Sequence, residues 1–402
     1  MSQAPLDQDL SSHSKKRKFQ EEDDTCRAEP SGSSSSSSTQ LSLIHHHHHD
    51  NMMDDTKKRK MNSQSRSLME LPPRSSSLSS PILRLEGHQS EVFTCKFSNR
   101  GQFMASGAFD KTVLLWDVFG ETSDDVVDES DSSHPTTFNY GCLVGHKNAI
   151  LDLDWLLSED RLCTASADNS VMLWDSVRCM RVRQFKDHSA VVNCCTTSKH
   201  SAQSDLFASG GDDKSINIYD QRERKCVKTI KSKFPIFSVC FSENTDRLFS
   251  CGIDHVITTW DMKTDKFLYS LGNGHTDSIT DIKLSPDGNF ILSNSMDGTC
   301  RIWNARHFVD TPNRCVKVFN GAKHSMDKNL TRVSWYKDGS LISTGAENDV
   351  IIWNTTSRKI VYQLPGHQGS VNCVHFHPQQ PIIASASSDK TIYLGEIDPK
   401  AI

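Results

Sequence analysis

Hydrophobic and polar positions divide the 402-residue chain into two regions of different kind. Up to about residue 79 apolar residues are sparse and follow no period, and the stretch carries a serine run (Ser33 to Ser38) and a histidine run (His45 to His49). Such a segment cannot bury enough surface to offset the entropy of ordering it. Residues 1–79 are therefore predicted to be a disordered, low-complexity tail. From Pro81 onward short apolar runs appear, and their ends repeat: Val113-Leu114-Leu115-Trp116-Asp117, Val171-Met172-Leu173-Trp174-Asp175, Ile216-Asn217-Ile218-Tyr219-Asp220, Ile257-Thr258-Thr259-Trp260-Asp261, Cys300-Arg301-Ile302-Trp303-Asn304 and Val350-Ile351-Ile352-Trp353-Asn354. The aromatic positions lie 58, 45, 41, 43 and 50 residues apart. That is the period of a repeating supersecondary unit with one clear insertion.

Within each repeat the polar residues keep fixed places. Six residues before each aromatic is an acid: Asp110, Asp168, Asp213, Asp254, Asp297 and Glu347. Four before each acid is a hydroxyl: Ser106, Thr164, Ser209, Ser250, Ser293 and Ser343. A seventh copy keeps Ser385 and Asp389 but has Gly395-Glu396 where Trp-Asp would fall. Upstream of most copies stands a histidine: His88, His146, His188, His275, His324 and His367. In a four-stranded blade this spacing places the hydroxyl on an inner strand, the acid in a tight turn and the aromatic on the next strand. The histidine then arrives from the loop that opens the blade. The four side chains come within reach of one hydrogen-bonded chain that locks the blade. The expected structural tetrads are His88, Ser106, Asp110 and Trp116; His146, Thr164, Asp168 and Trp174; His188, Ser209, Asp213 and Tyr219; and His275, Ser293, Asp297 and Trp303. His367, Ser385 and Asp389 form an incomplete fifth set.

The fold class that follows is all-β, a seven-bladed β-propeller of the WD-repeat type over residues 80–398. Pro81-Ile82-Leu83-Arg84-Leu85 has strand character with no first three strands before it, while Thr391 to Ile397 completes only a third strand. The N-terminal strand is therefore expected to pair into the last blade and close the ring. Blade four breaks the pattern, with Lys231-Ser232-Lys233-Phe234-Pro235 where Gly-His belongs. Blade six has Glu347 for Asp, and blade seven has no Trp. Such losses cost about 1 kcal/mol per missing hydrogen bond, or mark places where the surface serves a partner. The insertion at about 120–140 holds Glu121, Asp124, Asp125, Asp128, Glu129 and Asp131 with no basic residue, and is expected to be a flexible acidic loop opposite the His/Asp turns.

Charge narrows the function. Forty-five Lys and Arg stand against 50 Asp and Glu, a net −5, which argues against a general nucleic-acid binder. No apolar stretch reaches the ~18 residues of a membrane span, so no membrane role is expected. Twelve of the 13 cysteines lie in or beside predicted strands without CxxC spacing and read as small core residues rather than disulfides or metal ligands. Two clusters, Lys15, Lys16, Arg17 and Lys18, then Lys57, Lys58, Arg59 and Lys60, read as nuclear-import signals against the plainer reading of solvated charge. The histidine run lacks any fixed geometry for a metal, so no metal and no cofactor is expected. Ser, His and Asp resemble a hydrolase triad on paper. The trio recurs in blade after blade, however, without a Gly-x-Ser-x-Gly elbow, so no residue is assigned a catalytic role.

The propeller also resembles the family of 40-kilodalton WD-repeat subunits of the U5 small nuclear ribonucleoprotein, over about residues 75–397. The resemblance is carried by Phe109-Asp110-Lys111, Leu292-Ser293-Asn294-Ser295-Met296-Asp297, Lys328-Asn329-Leu330 before Trp335, Leu364-Pro365-Gly366-His367, Ser387-Ser388-Asp389-Lys390 and Tyr393-Leu394-Gly395-Glu396-Ile397. It implies a nuclear, non-enzymatic scaffold of the spliceosome, monomeric within a large complex. It also implies contact with the particle's large central scaffold protein, with its RNA helicase as a further candidate and U5 RNA met indirectly. The tail before residue 75 and the acidic insertion depart from that pattern. An alternative is a substrate receptor of a cullin-type ubiquitin ligase, because Tyr219-Asp220-Gln221-Arg222, and more weakly Trp303-Asn304-Ala305-Arg306, resemble the Asp-x-Arg signature of such receptors.

Overall fold

The computed structural model describes residues 74–120, 138–200, 202, 205–272, 274–307, 313–324 and 328–398. The serine and histidine runs, both basic clusters and the acids from Glu121 to Asp131 lie outside the described residues.

Seven four-stranded antiparallel sheets follow one another along the chain. Blade one is typical, with Val92–Phe97, Phe103–Ala108, Thr112–Asp117 and Asn139–Val144 running from the innermost strand to the outermost. The innermost strands of the others are Ile150–Trp155, Val192–Thr197, Ile236–Phe241, Ile279–Leu284, Val333–Trp335 and Val371–Phe376. Each packs on the next, and the last packs on the first, which makes a ring of seven. Strands buried on both faces read as nearly continuous apolar and small residues. Val192–Thr197 and Ile382–Ser387 are accordingly buried throughout, while the outermost Met180–Phe185 is exposed over its first three residues. Small residues let the blades approach. A methyl group on Gly107 would lie 2.7 Å from Cγ2 of Ile150 on the next blade.

The ring closes as the sequence predicts. Ile82–Leu85 pairs antiparallel with Ile392–Glu396, Ile82 opposite Gly395 and Leu85 opposite Ile392. The seam is pinned from outside, since the Ser75 N–H and hydroxyl both donate to Glu396 Oε1, at 2.5 and 2.7 Å.

The innermost strands also bring charge to the axis. Alternate residues of a strand share a face. Counting each strand back from its last residue, one such belt is Thr94, Asp152, Cys194, Ser238, Asp281, Arg332 and Cys373. Arg332, 2 % exposed, reaches from blade six across the axis. Its Nη2 donates to the Asn193 carbonyl at 2.6 Å and its Nη1 to the Phe237 carbonyl at 3.2 Å. The guanidinium also lies 3.5 Å from Asp281 and 3.7 Å from Asp152. One side chain of blade six thus touches blades two, three, four and five. The next belt includes Lys96, Asp154, Thr196, Cys240, Lys283 and His375, which line a cavity of about 360 Å³.

Candidate functional site

The acid-bearing turns are built alike. The residue after the acid is left-handed in six blades: Lys111 (φ 71°), Asn169 (64°), Lys214 (63°), His255 (58°), Gly298 (76°) and Lys390 (72°). This conformation is uncommon for side chains other than Gly, Asn and Asp, and the turn needs a device to hold it. In five blades the acid supplies one. Its Oδ1 accepts the N–H two residues on, from Thr112, Ser170, Ser215, Thr299 or Thr391, at 2.9–3.0 Å, together with that residue's hydroxyl. Its other face receives Nδ1 of the blade's histidine and the backbone N–H that follows it.

In blade one Trp116 Nε1 donates to Ser106 Oγ at 2.8 Å, Ser106 lies 2.7 Å from His88 Nε2, and His88 Nδ1 lies 2.9 Å from Asp110. Blade two repeats this with Trp174, Thr164, His146 and Asp168 at 2.9, 2.7 and 3.0 Å. Blade five does so with Trp303, Ser293, His275 and Asp297 at 2.8, 2.7 and 2.9 Å. The indole N–H only donates, so the hydroxyl accepts from it and gives its own proton to Nε2. With the hydroxyl proton on that side, the ring presents its own proton on Nδ1 to the acid. Burial pushes Asp110, Asp168 and Asp297 up, but the histidine and hydroxyl hydrogen bonds outweigh it and hold all three well below the usual carboxylate range. Burial pushes His188, His275 and His367 down, against the pull of their acids. The hydroxyls of Ser106, Thr164, Ser209 and Ser293 sit on residues with no exposed surface, every donor and acceptor directed inward.

Four blades depart. In blade three His188 lies 2.7 Å from Ser209 and 3.0 Å from Asp213, and Tyr219 takes the indole's place beside Ser209. Its ring is fully buried and stacks on Phe207 with centroids 5.0 Å apart. A phenol carries its polar atom at the tip of the ring, where an indole N–H points sideways. In blade six His324 does not join Ser343 and Glu347; its Nε2 lies 2.8 Å from the Ser295 carbonyl of blade five. Trp353 there donates to the Asn320 carbonyl at 3.2 Å, and the Ser343 hydroxyl is buried without a partner. In blade seven His367 lies 2.9 Å from both Ser385 and Asp389, and Tyr393 covers the imidazole edge-on at 4.7 Å where the indole is absent. Blade four keeps Trp260 on Ser250 at 2.8 Å and has no histidine over Asp254.

The polar belt on the axis was not identified as a site from the sequence. The signal was present as acids at alternate positions of apolar strands, in Ile150-Leu151-Asp152-Leu153-Asp154-Trp155 and Ile279-Thr280-Asp281-Ile282. Each acid clamps the next blade. Asp152 accepts the Cys195 N–H at 3.2 Å, Asp154 the Thr197 N–H at 2.8 Å, and Asp281 the Val333 N–H at 3.0 Å. Arg222 turns back on Asp220, Nη2 to Oδ2 at 2.6 Å, and Arg306 Nε donates to Asn289 at 2.9 Å. Among the described residues all 12 cysteines are free, no group of three or more His, Cys, Asp or Glu side chains is set to hold a metal, and no helix is long and apolar enough to cross a membrane.

The WD domain, G-beta repeat model matches the chain seven times, at residues 79–117, 138–175, 179–220, 224–261, 265–304, 313–354 and 358–394. The chain is 43 % identical over 328 residues to the U5 small nuclear ribonucleoprotein 40 kDa protein of Dictyostelium discoideum, covering 81 % of this chain and 87 % of that one. It is 42 % identical over 327 residues to the human protein of the same name, covering 81 % and 86 %. It is 38 % identical over 326 residues to the pre-mRNA-splicing factor cwf17 of Schizosaccharomyces pombe, covering 81 % and 90 %.

Proposed function

Because the chain belongs to the WD-repeat family of the U5 small nuclear ribonucleoprotein 40 kDa protein, we propose that it is a protein-binding scaffold of the spliceosome acting in pre-mRNA splicing. The observation that carries this is the identity itself, which runs through the whole propeller and over more than four-fifths of each relative. The chemistry of the blades supports a non-enzymatic role. The hydroxyl, imidazole and carboxylate groups that look like catalytic trios are spent on holding strands together, with the hydroxyls out of reach of any substrate. A rigid ring with loops on two faces and a rim offers several docking surfaces at once.

The partners that fit are the large central scaffold protein of the U5 particle and its RNA helicase, with U5 RNA met through them and the propeller acting as a monomer. Nuclear import through Lys15–Lys18 and Lys57–Lys60 completes the reading. Purifying the tagged full chain from nuclear extract tests it: stoichiometric recovery of the large scaffold with U5 RNA is expected. Recovery of a ubiquitin-ligase adaptor without spliceosomal RNA would overturn it. The Asp220–Arg222 pair is folded on itself, so Arg222→Ala is expected to leave the recovered proteins unchanged.

A further inference from the structure

Blade four has lost more than its histidine. In blades one, two, three, five and seven the turn acid receives four donors: imidazole Nδ1, the N–H after the histidine, the N–H two residues on, and that residue's hydroxyl. The loop before blade four runs Lys231-Ser232-Lys233-Phe234-Pro235, so no imidazole arrives. Two residues after Asp254 stands Val256, which has no hydroxyl. What remains for the Asp254 carboxylate is the backbone N–H of Val256 and its own, with the His255 ring beside it in the same groove. Burial accordingly holds this carboxyl above its ordinary value, the reverse of the five acids that keep their donors.

The space left by the histidine is open. Asp254 lies in a groove of about 860 Å³ whose walls include Phe234, Ile253, Trp260 and Phe267. Phe234 is 45 %, Ile253 47 % and Phe267 56 % exposed, an apolar rim at the place where five other blades are closed by their own imidazole. Lys231 and Lys233, both exposed, stand at the mouth.

We propose that this socket takes an arginine side chain, flanked by acidic residues, from an extended segment of a partner protein. The guanidinium supplies the donors that Asp254 lacks, in the fork geometry a carboxylate accepts, and its flat face lies against the aromatic wall. The acidic flanks answer Lys231 and Lys233. The proposal rests on the scaffold reading and adds the chemistry of one partner contact.

The test replaces Ile253 in the full chain with a photo-crosslinking phenylalanine derivative, irradiates in nuclear extract and maps the captured peptide. A segment containing arginine beside an acid is expected, with capture falling about 10- to 100-fold in Asp254→Asn, as for loss of a charge-assisted hydrogen bond. Circular dichroism checks the fold of that variant, and Phe234→Ala provides a second probe of the same wall. The idea is overturned by capture of a segment without arginine, of RNA, of this chain's own residues 1–73 or of a second copy, by no capture above an opposite-face control, or by capture that survives Asp254→Asn. Recovery of U5 RNA in the same preparation reports on the splicing role separately. RNA lost with the arginine segment still captured overturns that role alone, and the converse overturns the socket alone.

Discussion

Arg332 is the side chain whose loss should be felt most widely. In Arg332→Met the bonds to the Asn193 and Phe237 carbonyls vanish, and Asp152 and Asp281 lose the guanidinium that lies within 3.7 Å of both. Each hydrogen bond from a charged group contributes about 1.5–3 kcal/mol, and removing one partner of a buried ionic set costs about 3–5 kcal/mol because the other charge is left uncompensated. The two figures describe the same interactions and are not summed, so about 3–5 kcal/mol is expected. At about 2 °C per kcal/mol, the lower edge for large domains, the melting temperature should fall by about 6–10 °C. The pH dependence identifies the cause. Burial pushes Asp152 up, and Arg332 and Lys96 hold it below its ordinary value. With Arg332 gone, burial is less opposed and the folded variant takes up a proton more readily than the wild type. The stability gap should therefore narrow as pH falls from 7 to 5. Urea denaturation of both proteins at each pH measures this, and Arg332→Met with Asp281→Asn should recover part of the loss. A variant within about 0.5 kcal/mol of wild type (at most about one sixth of the expected cost) or a gap independent of pH would refute the reasoning.

Three further outcomes follow. Ser106→Ala strands the Trp116 N–H and the His88 Nε2 together and should cost about 2–3 kcal/mol, whereas Ser343→Ala removes a hydroxyl that has no partner and should lie within about 0.5 kcal/mol of wild type in urea. A chain beginning at Glu86 leaves Ile392–Glu396 as an open sheet edge, and light scattering should show self-association that the full chain lacks. Burial pushes His375 down to about 3 and His377 down to about 4. Both folded values lie below the unfolded ~6.5, so their contribution is complete above about pH 6.5 and is lost as pH falls through 4 to 3. His377→Gln should flatten the slope of urea midpoint against pH across that window.

The ring was legible because its signals are local and repeated. A hydroxyl, an acid and an aromatic at spacings of four and six recur in six blades, and the unmatched strand at Ile82–Leu85 announced its place in the last blade. Exceptions were legible only where a residue was missing, as at Lys231 to Pro235. His324 stands 23 residues before its acid instead of 22 and turns to the Ser295 carbonyl, since the path of a loop is a three-dimensional matter. Arg332 shows the other limit: its partners on blades two to five lie between 51 and 180 residues away, and nothing in the spacing of one repeat foretells a contact across the axis.

The seam between Ile82–Leu85 and Ile392–Glu396 joins positions about 310 residues apart and sets a timetable for the molecule's making. Its first strand leaves the ribosome at once and then waits for the last, about 15–60 s at 5–20 residues per second. Throughout that interval the growing arc has an open edge, the condition in which a nascent chain recruits chaperones or pairs with the wrong neighbour. After closure the same long span works in reverse. A strand that lets go is still held by its neighbours on either side, so the finished ring should unfold slowly as well as assemble slowly.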